Sequence, residues 1–189
     1  LDEVGGNYNT CFGLQNHSYG ERNLVFGKSN NTVSYSYSNL VGGIDNVVGG
    51  SCNIVAGAGN NAALSNTFVI GNANSGNADN SIIAGYNNNS FSGNKDDLVI
   101  GNQNYIQDIE SSIIAGYNNK AYGISELDNG SINDIIGTNN TVSGKNNYVI
   151  GDSNTISGHD IYAFGHSITA SNTSTEGDIY AIGKNLNNP

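Results

Sequence analysis

Three histidines (His17, His159, His166), two cysteines (Cys11, Cys52) and scattered carboxylates are the side chains here suited to acid–base, nucleophilic or metal-ion chemistry. Metal sites gather such ligands at short, fixed spacings. None of the histidines stands in an H-x-x-x-H pattern or has an acid at motif spacing. No G-x-S-x-G or phosphate-binding glycine loop occurs, and Gly151–Gly158, "GDSNTISG", is one phrase of a repeat. Calcium-binding nonapeptide repeats need regular aspartates between glycines, and the aspartates here fall irregularly. The sequence therefore predicts no enzyme, no cofactor and no metal centre. What remains is recognition by tyrosines and a few apolar and acidic residues set among Asn and Ser, the material of a protein-binding hot spot.

The elements that position these residues come from a repeat. Apolar triplets end on Gly13, Gly27, Gly43, Gly57, Gly71, Gly85, Gly101, Gly116, Gly137, Gly151, Gly165 and Gly183. The base period is 14, and every departure from it is an insertion. Ten of the twelve phrases carry a small polar residue four places before the glycine, and ten carry Asn three places after it. Ile168 and Leu186 take the latter place in the last two phrases. A second apolar position follows at five, as in Val48, Ala62, Ile106, Val142 and Ile156. The chain reads as one array over 1–189, with outward insertions near 120–132 and 169–178.

Composition narrows the class. Of 189 residues, 37% are hydrophobic and 26 are Gly, with no Met or Trp. Few residues favour helices, and the periodic clustering of the apolar ones argues against disorder. The net charge of −10, with six Lys and Arg, argues against nucleic acid and against an anionic membrane surface. No run approaches the ~20 apolar residues of a membrane span. Beginning at Leu1 in mid-phrase, without a signal peptide, the chain reads as an excised or mature fragment.

A phrase this short suits two strands and two tight turns, one coil of an all-β parallel solenoid of about twelve coils. The glycine suits a turn with φ > 0. Asn tolerates the left-handed region, which fits it to the opposite turn, and stacked asparagines bond amide to amide. Three successive apolar residues in a strand point to opposite faces. The middle one (Val25, Val55, Val69, Ile83, Val99, Ile114, Val149) cannot share a face with its two neighbours, so one face fills the interior and the other leaves an apolar stripe outside. Such a stripe exceeds what monomers expose, and it predicts an obligate oligomer.

Insertions leave a solenoid outward and are where specificity is expected. The longest contains "GISELDNG" and brings Tyr122, Ile124, Glu126, Leu127 and Asp128 to the surface. The "SYSYS" stretch shows Tyr35 and Tyr37, and Tyr86 and Tyr117 suggest a further aromatic strip. These nine residues are the candidate ligand-binding set; the alternative is that the long loop packs on the roll or on a neighbouring chain. Cys11 and Cys52 lie three coils apart, about 14 Å, beyond the about 7 Å that a disulfide spans. No bond within the chain is expected, a bond between chains stays open, and Cys11 takes the place of a core Val.

Phrases such as "NNYVIGDSNTISG", "NSIIAGYNNNSFSG" and "NDIIGTNNTVSG" resemble the head repeats of trimeric autotransporter adhesins, over about Asn7 to Lys184. The resemblance implies a left-handed parallel β-roll, a homotrimer, and an extracellular position as the head of an outer-membrane-anchored surface protein. It implies attachment to a host receptor (for example a carcinoembryonic-antigen-related cell adhesion molecule) or to a matrix protein such as collagen, fibronectin or laminin, with no direct membrane contact by this segment. Asn often replaces the Ser of that repeat, and no stalk heptads or anchor strands appear. Two other solenoid classes fit less well. Left-handed β-helix acyltransferases use a repeat of six, of which 14 is not a multiple. An ice-binding solenoid needs a regular array of Thr, and Thr10, Thr32, Thr67, Thr138, Thr141 and Thr155 read as occupying different phases.

Overall fold

The computed structural model describes residues 1–189 except 34, 64, 124–130, 173–177 and 189. All regular structure among them is β-strand, arranged as a parallel solenoid of about twelve coils. Two compact units divide the chain, Leu1–Ser90 and Phe91–Pro189. In each, alternate strands fall into two parallel sheets: a front sheet built from the apolar triplets and a back sheet built from the second position.

In the first unit the front strands are Thr10–Leu14, Leu24–Lys28, Leu40–Ile44, Ile54–Ala58, Phe68–Asn72 and Ile82–Tyr86. They pair in strict coil register, Gly13↔Gly27↔Gly43↔Gly57↔Gly71↔Gly85. Their middle residues Val25, Val41, Val55, Val69 and Ile83 are fully buried, and Val48 and Ala62 of the back sheet join them in the core. The second unit repeats this with front strands from Leu98–Asn102 to Ile179–Lys184. Val99, Ile114, Ile135 and Val149 are buried there with Ile106, Ala121, Val142 and Ile156. Alternation along each strand therefore sorts the triplets as expected.

The core supplies about one apolar side chain per half-coil, and asparagine supplies the rest. Asn16, Asn30, Asn46, Asn60, Asn74 and Asn88 are buried in one column of the first unit. Each Oδ1 accepts both the backbone N–H and the Nδ2 of the next, as Asn60 does from Asn74 at 3.1 Å each. Asn60 Nδ2 in turn donates to Gly71 O at 2.9 Å and Ala56 O at 3.2 Å, closing turn carbonyls of two coils. A second column, Asn9, Asn23, Asn39 and Asn53, does the same at the other corner. In the second unit the columns end on apolar residues whose N–H groups still bond to the last Asn: Ile168 to Asn154 and Ile161 to Asn147.

These columns correct one expectation. The left-handed seat at the corner belongs to the residue before the buried Asn, not to the Asn itself. Gln15, Ser29, Asp45, Ala73, Asn87 and Ser153 all hold φ between 54° and 59°, at about 1–2 kcal/mol each for a residue with a Cβ. The buried amide fixes the chain on both sides of that seat. Both corners use the device, so the coil is two half-coils of seven, seen plainly in Asn140-Thr141-Val142-Ser143-Gly144 and Asn147-Tyr148-Val149-Ile150-Gly151.

Cutting one rung should be costly. Asn60→Ala leaves the buried N–H and Nδ2 of Asn74 without their acceptor, and about 3 kcal/mol of stability should be lost. Asn61→Ala, one residue on and exposed, should stay within about 0.5 kcal/mol. Urea midpoints of the two variants check this.

Candidate functional surfaces

Outward residues of the back sheet change character along the second unit. Tyr105 and Lys120 occupy one outward row, and Thr141, Thr155 and Thr169 continue it on three successive coils. Two residues further along each strand, Ser143, Ser157 and Ser171 form a parallel row after Tyr122. The result is a two-by-three grid of hydroxyls on a sheet, about 4.8 Å apart between coils and about 6.7 Å apart along the strand. Val142, Ile156 and Ala170 lie buried beneath it. Each β-branched Thr has a stiff χ1, so its hydroxyl and methyl are held in place by the coil register. The earlier assignment of the threonines to different phases is thus corrected: Thr141 and Thr155 share one row, and Thr169 completes it. Counting four places from each coil's own glycine finds the row, and its members are 14 residues apart.

Front-sheet outward residues are of another kind. In the first unit Leu24, Ile54 and Ile82 lie in one row and Phe12, Phe26 and Ile70 in the next, all exposed. The Phe26 ring covers Gly42, where a Cβ would meet it at 2.3 Å. In the second unit Ile136, Ile150, Phe164 and Ile182 form an exposed row. Tyr148, Tyr162 and Tyr180 stack beside it, with centroids 5.1 and 4.8 Å apart and planes within 8°. The stripe read from the sequence is present on both units.

The candidate binding residues are not brought together. Tyr35 and Tyr37 lie in the first unit, Tyr35 98% exposed and Tyr37 under the Arg22 guanidinium. Tyr86 and Tyr117 are exposed at matching strand positions, but Tyr86 pairs with Asn72, and Tyr117 with Asn102 and Thr138, so they form no aromatic strip. Tyr122 is on the back sheet, its ring 5.5 Å from that of Tyr105. Ile124, Glu126, Leu127 and Asp128 lie outside the described residues.

Two histidines do meet acids, at the one spacing a motif search omits. His17 Nδ1 lies 3.1 Å from Glu3 and His166 Nδ1 2.9 Å from Asp152, each pair separated by one coil of 14 residues. Among the described residues no group of three or more His, Cys, Asp or Glu is placed to hold a metal. Both cysteines are free thiols. Cys11 sits in register with Val25 and is partly buried, which pushes its thiol pKa up and makes it a poor nucleophile. Cys52 is exposed at a left-handed corner.

Residues 66–158, just under half of the chain, match the family model described as the grass antifreeze β-roll. No curated protein sequence matches the chain. The matched segment contains the first two rungs of the hydroxyl grid, Thr141 with Ser143 and Thr155 with Ser157.

Proposed function

We propose that this chain is an ice-binding β-roll whose contact surface is the hydroxyl grid of the second unit. The observation that carries the proposal is the register Thr141↔Thr155↔Thr169 beside Ser143↔Ser157↔Ser171, and the match to an antifreeze β-roll family model supports it. Rigid hydroxyls repeated on a sheet lattice fix water at a regular spacing, and the Thr methyls between them exclude disordered solvent. Ordered water of that kind merges with an ice surface, whereas a mobile or ragged surface does not. Among the described residues of the first unit no such row is present: its back sheet presents His17, Asn31, Val47, Asn61 and Ser75 in series. Contact with ice is therefore confined to the second unit.

Thr155→Tyr places a bulky ring at the centre of the grid on an exposed strand position. Inhibition of ice recrystallisation should fall at least tenfold, with the circular dichroism spectrum and melting temperature unchanged. Ile136→Thr, on the opposite sheet, should leave inhibition intact. Full activity in Thr155→Tyr would remove the grid from the mechanism.

A second proposal draws on the front sheet. Its exposed apolar rows are what a lengthwise homotrimer would bury, as in the surface-adhesin resemblance, with a host receptor or matrix protein as the ligand. Sedimentation equilibrium decides the assembly: a trimer that Ile100→Lys dissociates supports it, and a monomer for the unmodified chain removes it. The trimer and the ice contact use opposite sheets and are compatible.

A further inference from the structure

In the first unit a groove of about 510 Å³ is lined by Tyr19, Tyr35 and Tyr37 together with Gly6, Gly20 and Glu21. We infer that this groove is a binding site for a small organic ammonium ion, a quaternary or methylated amine held by the three tyrosine rings and the Glu21 carboxylate. The site lies apart from the ice-contact grid and does not depend on it.

Two of the three tyrosine walls are held in place from outside the groove, while Tyr35 stands exposed at its mouth. Tyr19 is hydrogen-bonded to Glu3 and its ring lies 6.4 Å from that of His17 at an interplanar angle of 27°. Tyr37 receives a hydrogen bond from Arg22 Nη1 on its hydroxyl, with the guanidinium carbon 5.2 Å from the ring centroid. That ring thus already carries a cation, the interaction that a second cation in the groove would repeat. Glu21 and Tyr37 are bridge partners on neighbouring coils, which sets the carboxylate beside the ring. The Ser36 hydroxyl is spent on the fold, donating to Tyr19 O at 2.7 Å and accepting from Asn23 Nδ2 at 3.0 Å.

The lining therefore offers three aromatic rings and one carboxylate, and the cation beside it, Arg22, is engaged by Tyr37. An anion finds no positive side chain in the lining itself. A sugar would draw on convergent hydrogen-bonding groups, and the hydroxyls of Tyr19, Ser36 and Tyr37 are already engaged. An alkylated ammonium uses what is left: its charge faces Glu21 and its methyl groups, which carry that charge, lie on ring faces. The volume is within the range of small-molecule sites.

Titration of the full chain with choline, followed by NMR shifts of the tyrosine rings, tests this directly. Choline should saturate the site, and its neutral isostere 3,3-dimethylbutan-1-ol should bind at least tenfold more weakly. Glu21→Gln, isosteric and exposed, and Tyr35→Ala, at a side chain that packs on little, should each weaken choline at least fivefold without altering the fold. Absence of saturable choline binding, equal affinity for the alcohol, or unchanged affinity in both variants would each overturn the inference.

Discussion

Gly57→Ala should lower stability by more than about 4 kcal/mol, whereas Gly59→Ala, two residues on, should cost about 1–2 kcal/mol. Gly57 holds φ +123, and an added Cβ would lie 1.8 Å from Gly71 O and 2.8 Å from Gly71 C. Both atoms are backbone of the next coil, fixed in register from Phe68↔Ile54 to Asn72↔Ala58. No side chain is available to swing away, so the two coils must separate and the core beneath Val55 and Val69 must open. Gly59 also has positive φ, +63, but nothing lies within 4 Å of the added atom, so only the backbone preference is lost. Thermal melts of the two variants separate close approach from conformational preference. Similar, small effects at both positions would mean that the coils are not stacked as tightly as described.

The second large effect is electrostatic. Asp97 occupies the ladder position held elsewhere by Asn, is 3% exposed and accepts the Ser112 N–H at 3.0 Å. Burial pushes its pKa up to about 7, with Asp96 and Glu110 adding to the rise and the Ser112 bond opposing it. The folded pKa is above the unfolded one, so the unfolded state ionises first as pH rises. The contribution of Asp97 to stability is therefore most favourable below about pH 4, falls between about pH 4 and 7, and is level above. Three pKa units correspond to about 4 kcal/mol. Asp97→Asn keeps the ladder geometry without the charge, and it should be more stable than the parent by up to that amount at pH 8 and equal to it at pH 3.5. Denaturant midpoints at the two pH values measure this; equal midpoints at pH 8 would show that Asp97 is solvated in the folded chain.

The solenoid was legible because one spacing serves several physical needs at once. The glycine interval marks the close approach of coils, and the triplet's middle residue marks the interior, so strands, core and apolar stripe all follow from counting. The left-handed seats were placed one residue late: Asn87, Asn118 and Asn139 fill some of them, but Gln15, Ser29 and Ala73 fill others, and the regular signal sits in the Asn that follows. The hydroxyl rows were hidden for a different reason. Thr141, Thr155 and Thr169 are 14 apart and each lies four places after its glycine, but Thr10, Thr32, Thr67 and Thr138 take other places in the phrase and obscured the row. His17 and His166 meet acids one coil away because a solenoid makes neighbours of residues 14 apart. The tyrosines emerge on different sheets, which composition does not reveal. Tyr122 belongs to the back sheet and Tyr117 to the front.

Thr155 and its neighbours matter only if ordered hydroxyls hold the chain to ice. Slow freezing of a dilute solution around a cold probe, followed by assay of protein in the ice and in the remaining liquid, puts that to the test. Protein that binds is overgrown and enriched in the ice fraction, and this chain should be enriched there while Thr155→Tyr stays in the liquid. Exclusion of the unmodified chain from the ice, at the level of an inert protein of its size, would contradict the account.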